Sequence, residues 1–123
     1  MPKFFTEGRH TGEFLLTEGP GSISREAGQL APGTGTIKDG TFIGRVTATK
    51  QLVPHDPAAT DGSQTSVGIL LGTHHLDATV PIDAAFIARQ AEVKLACLTF
   101  NAATDTPEER AAVLAQLDTV IAR

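Results

Sequence analysis

The chain has 123 residues and a formal net charge of -4, a length that fits one domain burying roughly two thirds of the surface its unfolded form exposes. Apolar residues make up 41% but aromatics only 5%, with Gly 12, Pro 7 and neither Trp nor Tyr, which favours turns and short strands over long helices. No Lys/Arg cluster supplies the positive field that nucleic acid demands, no apolar run approaches the roughly 18 residues of a membrane span, and no basic segment leads into an apolar leader.

Residues 1–24 carry scattered charges and Gly8, Gly12, Gly19 and Gly21, with no periodicity. They are expected to form a flexible arm, lacking the apolar area to offset their ordering entropy. Inside the arm the stretch HTGEFLLTEGPG, residues 10–21, holds an apolar island of Phe14, Leu15 and Leu16 flanked by Thr17, Glu18 and Gly19. In extended form it would put Phe14 and Leu16 on one face and Leu15 on the other. Ser22 and Ser24 follow without a G-x-S-x-G frame and read as linker residues. Gly33-Thr34-Gly35-Thr36 lacks the third glycine of a dinucleotide loop and the Gly-Lys-Ser/Thr ending of a P-loop, so it reads as a bend.

Residues 25–123 are expected to be a β-rich body. Lys38-Asp39-Gly40 is a tight turn whose glycine supplies positive φ. Thr41 to Thr49 alternates as a strand, with Phe42, Gly44, Val46 and Ala48 on one face and Ile43, Arg45, Thr47 and Thr49 on the other. Pro54 to Ser63 is dense in Pro, Asp and Gly and must leave the ladder as a long surface loop. Val67–Leu71, Ala84–Arg89 and Glu92–Leu95 read as further short strands, and this spacing predicts a small β-barrel or ribbon.

Near the end the period changes. Thr106-Pro107-Glu108-Glu109 is a capping box with proline at the first helical position, and Val113, Leu114 and Leu117 recur at helical spacing, predicting one helix from about Pro107 to Leu117. Thr119–Ala122 suits a closing strand.

Side chains able to do chemistry are few. Adjacent His74 and His75 would point to opposite faces of a strand and cannot readily share one ion. Asp56, Asp61, Asp77 and Asp83 sit in turn-like text, where aspartate is a good turn former. Cys97, the single cysteine, excludes an internal disulfide, suits synthesis in a reducing cytoplasm and reads as a small buried hydrophobe. No catalytic, cofactor-binding or metal-binding residue is expected.

The runs Thr17–Glu26, Gly44–Thr49, Pro54–Ser63 and Gly68–Leu71, then Arg89-Gln90-Ala91-Glu92-Val93 before an apolar strand and a capped alanine-rich helix, resemble the head decoration proteins of tailed phages, lambda-type decoration protein D among them. The resemblance spans about residues 13–123, and the Asp56 to Gly62 run is its most specific part. Lack of Trp and the presence of His75 depart from the lambda-type pattern and bear on the trimer contacts.

The resemblance implies a non-enzymatic β-clip fold that forms homotrimers on the outside of an expanded icosahedral head. There it would hold the major capsid protein against internal DNA pressure. Phe14, Leu15, Leu16, Thr17, Glu18 and Gly19 would then form a capsid-binding segment that adds a strand to a capsid sheet on docking. Two other readings stay open: a carbohydrate- or peptide-binding β module, and a small β-barrel hydrolase or metal enzyme. The second would bring His55, His74 or the aspartates into one pocket.

Overall fold

The computed structural model describes residues 12–19, 23–101, 104 and 106–122, so the expectations for residues 1–11 and for Ser22 lie outside the described residues. In chain order the strands are β1 (Leu15–Glu18), β2 (Arg25–Leu30), β3 (Thr36–Ile37), β4 (Phe42–Arg45) and β5 (Leu52–Pro54). They continue with β6 (Ser66–Leu71), β7 (His74–His75), β8 (Ile82–Ile87), β9 (Arg89–Val93) and β10 (Asp118–Ala122). A 3₁₀ turn covers Leu95–Cys97, and the helix α1 covers Pro107–Ala115.

The fold is mostly β, with a closed small barrel and one C-terminal helix, as the sequence predicts. The barrel order is β2-β5-β4-β6-β8. Its longest ladder pairs β2 with β8 antiparallel from Arg25↔Ile87 to Leu30↔Ile82, and the parallel pair Leu30↔Leu52 closes it. A three-stranded sheet, β1-β9-β10, and the ribbon β3-β7 complete the molecule.

Strand alternation divides the core in two. Ile43, Leu70 and Phe86 turn into the barrel and pack with Leu30, Leu52 and Ala84. Their neighbours Phe42, Ile69 and Ile87 turn outward, yet all are buried. They meet Ala91 and Val93 of β9, Val113 of α1, Leu117, Leu98 and Phe14. β4, β6 and β8 are thus a wall apolar on both faces, which explains why Val67 to Leu71 runs apolar without alternating.

Several boundaries differ from the sequence reading. The strand expected over Thr41–Thr49 ends at Arg45, because Lys50 enters the left-handed region at φ 62 and its amide donates to Val46 O at 2.8 Å. The strands expected over 84–89 and 92–95 are Ile82–Ile87 and Arg89–Val93, and Leu95 belongs to the 3₁₀ turn. Near the start of β9, Gln90 at φ 50 turns the chain out of the barrel and into the second sheet. The helix stops at Ala115, with both halves of the Thr106/Glu109 capping box formed. The Lys38-Asp39-Gly40 turn is present with Gly40 at φ 83.

Gly68 lies mid-strand in β6, where a Cβ would strike the Phe86 ring and come within 2.8 Å of Ile87 O. Gly68→Ala is therefore expected to destabilise the protein by about 1–3 kcal/mol through overpacking, read as a lower urea midpoint with unchanged slope.

Candidate functional site

The residues singled out in the N-terminal segment do not behave as one unit. Phe14 is 0% exposed in the second core, and its carbonyl accepts the Lys94 amide at 2.6 Å. β1 then pairs antiparallel with β9, but the register slips between Leu15↔Val93 and Thr17↔Glu92. This irregularity breaks the two-residue alternation. Phe14 and Leu16 consequently do not share a face: Phe14 is buried, Leu15 half-buried against the core and Leu16 exposed.

Glu18 and Gly19 lock the end of the strand. Arg25 grips Glu18 with two hydrogen bonds, Nε to Oε2 at 2.9 Å and Nη2 to Oε1 at 2.8 Å. The Gly19 amide donates to Gln90 O at 2.9 Å and to Ser24 Oγ at 2.7 Å. Ser24, read from sequence as a linker residue, is fully buried and passes a hydrogen bond on to Gln90 O at 2.8 Å. Arg89 adds an ion pair with Glu26 and a bond to Ile23 O at 2.8 Å. The chain from Phe14 to Gly19 is thus packed on the body, where the sequence reading has a flexible arm extending to residue 24.

Beyond these clamps the strand presents a surface. Among the described residues β1 has β9 on one side and no strand on the other, and the same holds for β10. Thr17, Glu92 and Ile121 form one row across the sheet, with Ile121 53% exposed. A groove of about 360 Å³ runs beside β1, lined by Leu15, Leu16, Thr17, Glu18, Arg25 and Leu71. The arrangement offers main-chain pairing groups at an edge beside a partly apolar groove, the geometry that accepts an extended partner strand.

Elsewhere the reactive side chains serve the fold. Asp56 caps the Ala58 amide at 3.0 Å. Asp61 accepts from the Ser63 hydroxyl at 2.6 Å and amide at 3.1 Å, and these bonds hold its carboxyl below the usual range. Asp77 is lowered likewise by the Thr79 amide at 2.8 Å and hydroxyl at 2.9 Å. Asp83 stands in β8 opposite Gln29, a strand position where a turn was expected. His75 meets Thr36 Oγ1 at 2.8 Å and His74 meets Leu71 O at 3.3 Å. Cys97 is half-buried against the second core rather than fully buried.

His55 is 3% exposed; its amide donates to Phe42 O at 2.9 Å, its Nε2 meets Gln64 O at 3.0 Å, and Asn101 Nδ2 donates to its carbonyl at 3.1 Å. It pins the long loop to the barrel. The cleft of about 200 Å³ beside it is lined by Pro57, Thr104, Val113 and Gln116, and neither His74 nor any of the four aspartates reaches it. Among the described residues no three His, Cys, Asp or Glu side chains group to hold a metal ion, and no helix is long and apolar enough to cross a membrane.

Residues 4–121 match the family described as Bacteriophage lambda head decoration protein D. No curated protein matches the chain.

Two outcomes follow from the packing. Phe14→Ala should lower unfolding free energy by about 3–5 kcal/mol, as for a buried aromatic truncated in a core, measured by chemical denaturation. Acid should destabilise the fold because the Arg25 guanidinium holds the Glu18 carboxyl below its usual 4.5, and hydrogen bonds hold Asp61 and Asp77 below 3.8. A depressed folded value adds stability that is complete above the ordinary value and lost as pH falls through the folded one. Glu18→Gln should therefore flatten the loss of stability in denaturation curves taken between about pH 5 and pH 3.

Proposed function

The chain belongs to the bacteriophage lambda head decoration protein D family, and on that premise we propose that it binds as homotrimers to the outside of an expanded icosahedral head. There it holds neighbouring copies of the major capsid protein against internal DNA pressure. It acts by contact and not by catalysis, needs no cofactor, is made in the host cytoplasm and ends in the virion.

The match over residues 4–121 carries this reading. The open edge of β1 supports its mechanism. An extended capsid segment pairing there would gain main-chain hydrogen bonds, while the groove beside Leu16 takes its side chains. Because β1 is already ordered on β9, docking there forgoes much of the ordering cost that a disordered segment meets on binding. Within the described part of the binding segment, Leu16 and Thr17 face the capsid and Phe14 anchors them to the body.

A trimer fits the same physics. Among the described residues the second core is covered by a three-stranded sheet, one short helix and the Leu98–Phe100 stretch, and Ile121, Ile23 and Leu95 remain between 43% and 53% exposed. Three copies around an axis bury such positions without adding chain length. A net charge of -4 also suits an outer surface, since a basic one would collect nucleic acid released at lysis.

Expanded capsids of the cognate phage, mixed with this protein and imaged by cryo-electron microscopy, should show density at three-fold and quasi-three-fold positions. Isolated single copies elsewhere would refute the trimer. Leu16→Asp should reduce capsid occupancy while changing unfolding free energy by no more than about 0.5 kcal/mol, because the side chain is 41% exposed and exposed substitutions are generally mild.

A further inference from the structure

We infer that the cleft between the long loop after β5 and the helix α1 is a binding site for a primary carboxamide, the side chain of an asparagine or glutamine on the capsid. This rests on the reading of the protein as capsid-bound. The cleft holds about 200 Å³. Its floor is buried, with His55 3%, Thr104 3% and Val113 5% exposed. Its rim includes Glu109 and Ala112 of α1 and Gln116 at the helix end, all exposed.

Two floor residues bring polar atoms that the fold leaves unused. His55 Nε2 lies 3.0 Å from Gln64 O, and since a carbonyl only accepts, Nε2 carries the hydrogen. In the neutral ring Nδ1 is then a lone-pair acceptor, and it has no partner among the described residues. The Thr104 hydroxyl has none there either, because Thr104 bonds through its backbone: its amide donates to Asn101 O at 2.8 Å and its carbonyl accepts from Arg110 Nε at 3.3 Å. Among the described residues Asp39 Oδ2 is the one unpartnered side-chain polar atom sealed from solvent. Nδ1 and the hydroxyl therefore reach open space, and for residues this deeply buried that space is the cleft they line. Polar atoms in such a place call for a partner.

The rim supplies the complementary group. Gln116 Oε1 accepts the Ser66 amide at 2.7 Å, which leaves its NH2 to donate. Gln64 and Ser66 are two residues apart, so His55 and Gln116 are tied to one short segment at points within about 7 Å of each other.

The surroundings decide the ligand's charge. A carboxylate or phosphate would face the His55 lone pair and the Glu109 carboxylate, whose Oε2 accepts the Thr106 amide at 3.3 Å. An ammonium would be brought up beside the Arg110 guanidinium, which is held on Thr104 O and lies 5.1 Å over the Phe100 ring. A neutral group that donates and accepts through neighbouring atoms meets neither charge. A carboxamide is such a group: its NH2 donates to His55 Nδ1 and the Thr104 hydroxyl, and its carbonyl accepts from Gln116. Val113 and Ala112 take the methylenes of its stem.

The test uses the full-length protein with propionamide as probe, and propionate and propylammonium, of similar size, as controls. At about pH 8, where an ordinary imidazole is neutral, propionamide should saturate with a dissociation constant on the order of 10 mM, as so small a ligand allows. The NMR shifts should centre on the His55 ring, Thr104 and Gln116. Both charged controls should bind at least about tenfold more weakly, because a site built on specific hydrogen bonds rejects analogues that cannot make them. Ala112→Leu, a helix-favouring change at an exposed position, fills the cleft. It should abolish the propionamide response, keep the urea midpoint and cut occupancy of cognate expanded capsids about tenfold. Propionamide at about ten times its dissociation constant should lower occupancy of the parent protein likewise, a readout that needs no variant. Absence of saturable propionamide binding overturns the inference, as does equal binding of either charged control. So does capsid occupancy that neither propionamide nor a folded Ala112→Leu protein reduces. If the parent itself fails to decorate expanded capsids, the capsid-bound reading falls instead, and the propionamide titration still decides the site.

Discussion

A barrel wall that is apolar on both faces sets the terms for the rest of the molecule. In β4, β6 and β8 the neighbouring pairs Phe42/Ile43, Ile69/Leu70 and Phe86/Ile87 send one side chain to each core. The barrel can fill only its own interior. Its outward face would leave three large side chains in water, so the remaining chain is committed to covering it. That requirement turns the chain outward at Gln90, lays β9 over the wall, brings α1 down on Val113, and draws Phe14 back from the N-terminus. With six Phe and no Trp or Tyr in the chain, a large side chain for that layer must come from wherever one exists. Phe14 contributes about 1.5–3 kcal/mol of burial there.

What the sequence makes legible is whatever is decided locally. The Asp39-Gly40 turn, the capping box at Thr106 and the unbroken apolar run in β6 depend on residues within a few positions of one another, and all three form. The end of β4 is decided by the local turn at Lys50 together with a distant loop, whose Asp61 carbonyl accepts the Thr47 amide at 2.9 Å. Gly62 packs so closely on the chain after Arg45 that a Cβ there would lie 2.7 Å from Arg45 O, and the folded-back loop replaces the ladder expected to run on to Thr49. The buried polar residues fall in the same class. Ser24, Asp39 and His55 look like ordinary loop residues by composition, and each is buried where polar groups from other segments converge on it.

The candidate site was half legible for the same reason. An apolar island among glycines signals that something must cover it, and for Phe14 that cover is the protein's own second core. Which residues face a partner and which face the protein itself depends on the register with β9, and the irregularity at Leu15/Thr17 reverses what strict alternation implies. Nor could local pattern reveal that β10 pairs with β9 in parallel. That pairing makes β9 the middle strand and leaves β1 and β10 as the two edges.

Under the proposed docking at β1, those edges would have to admit one strand and discourage others. Open edges are templates for unwanted pairing, and short length and charge are the usual deterrents. β1 has four residues and β10 five, and Glu92 stands in the row between them. At β1 the deterrent is partly removed, because Arg25 neutralises Glu18 and the groove beside Leu16 is open.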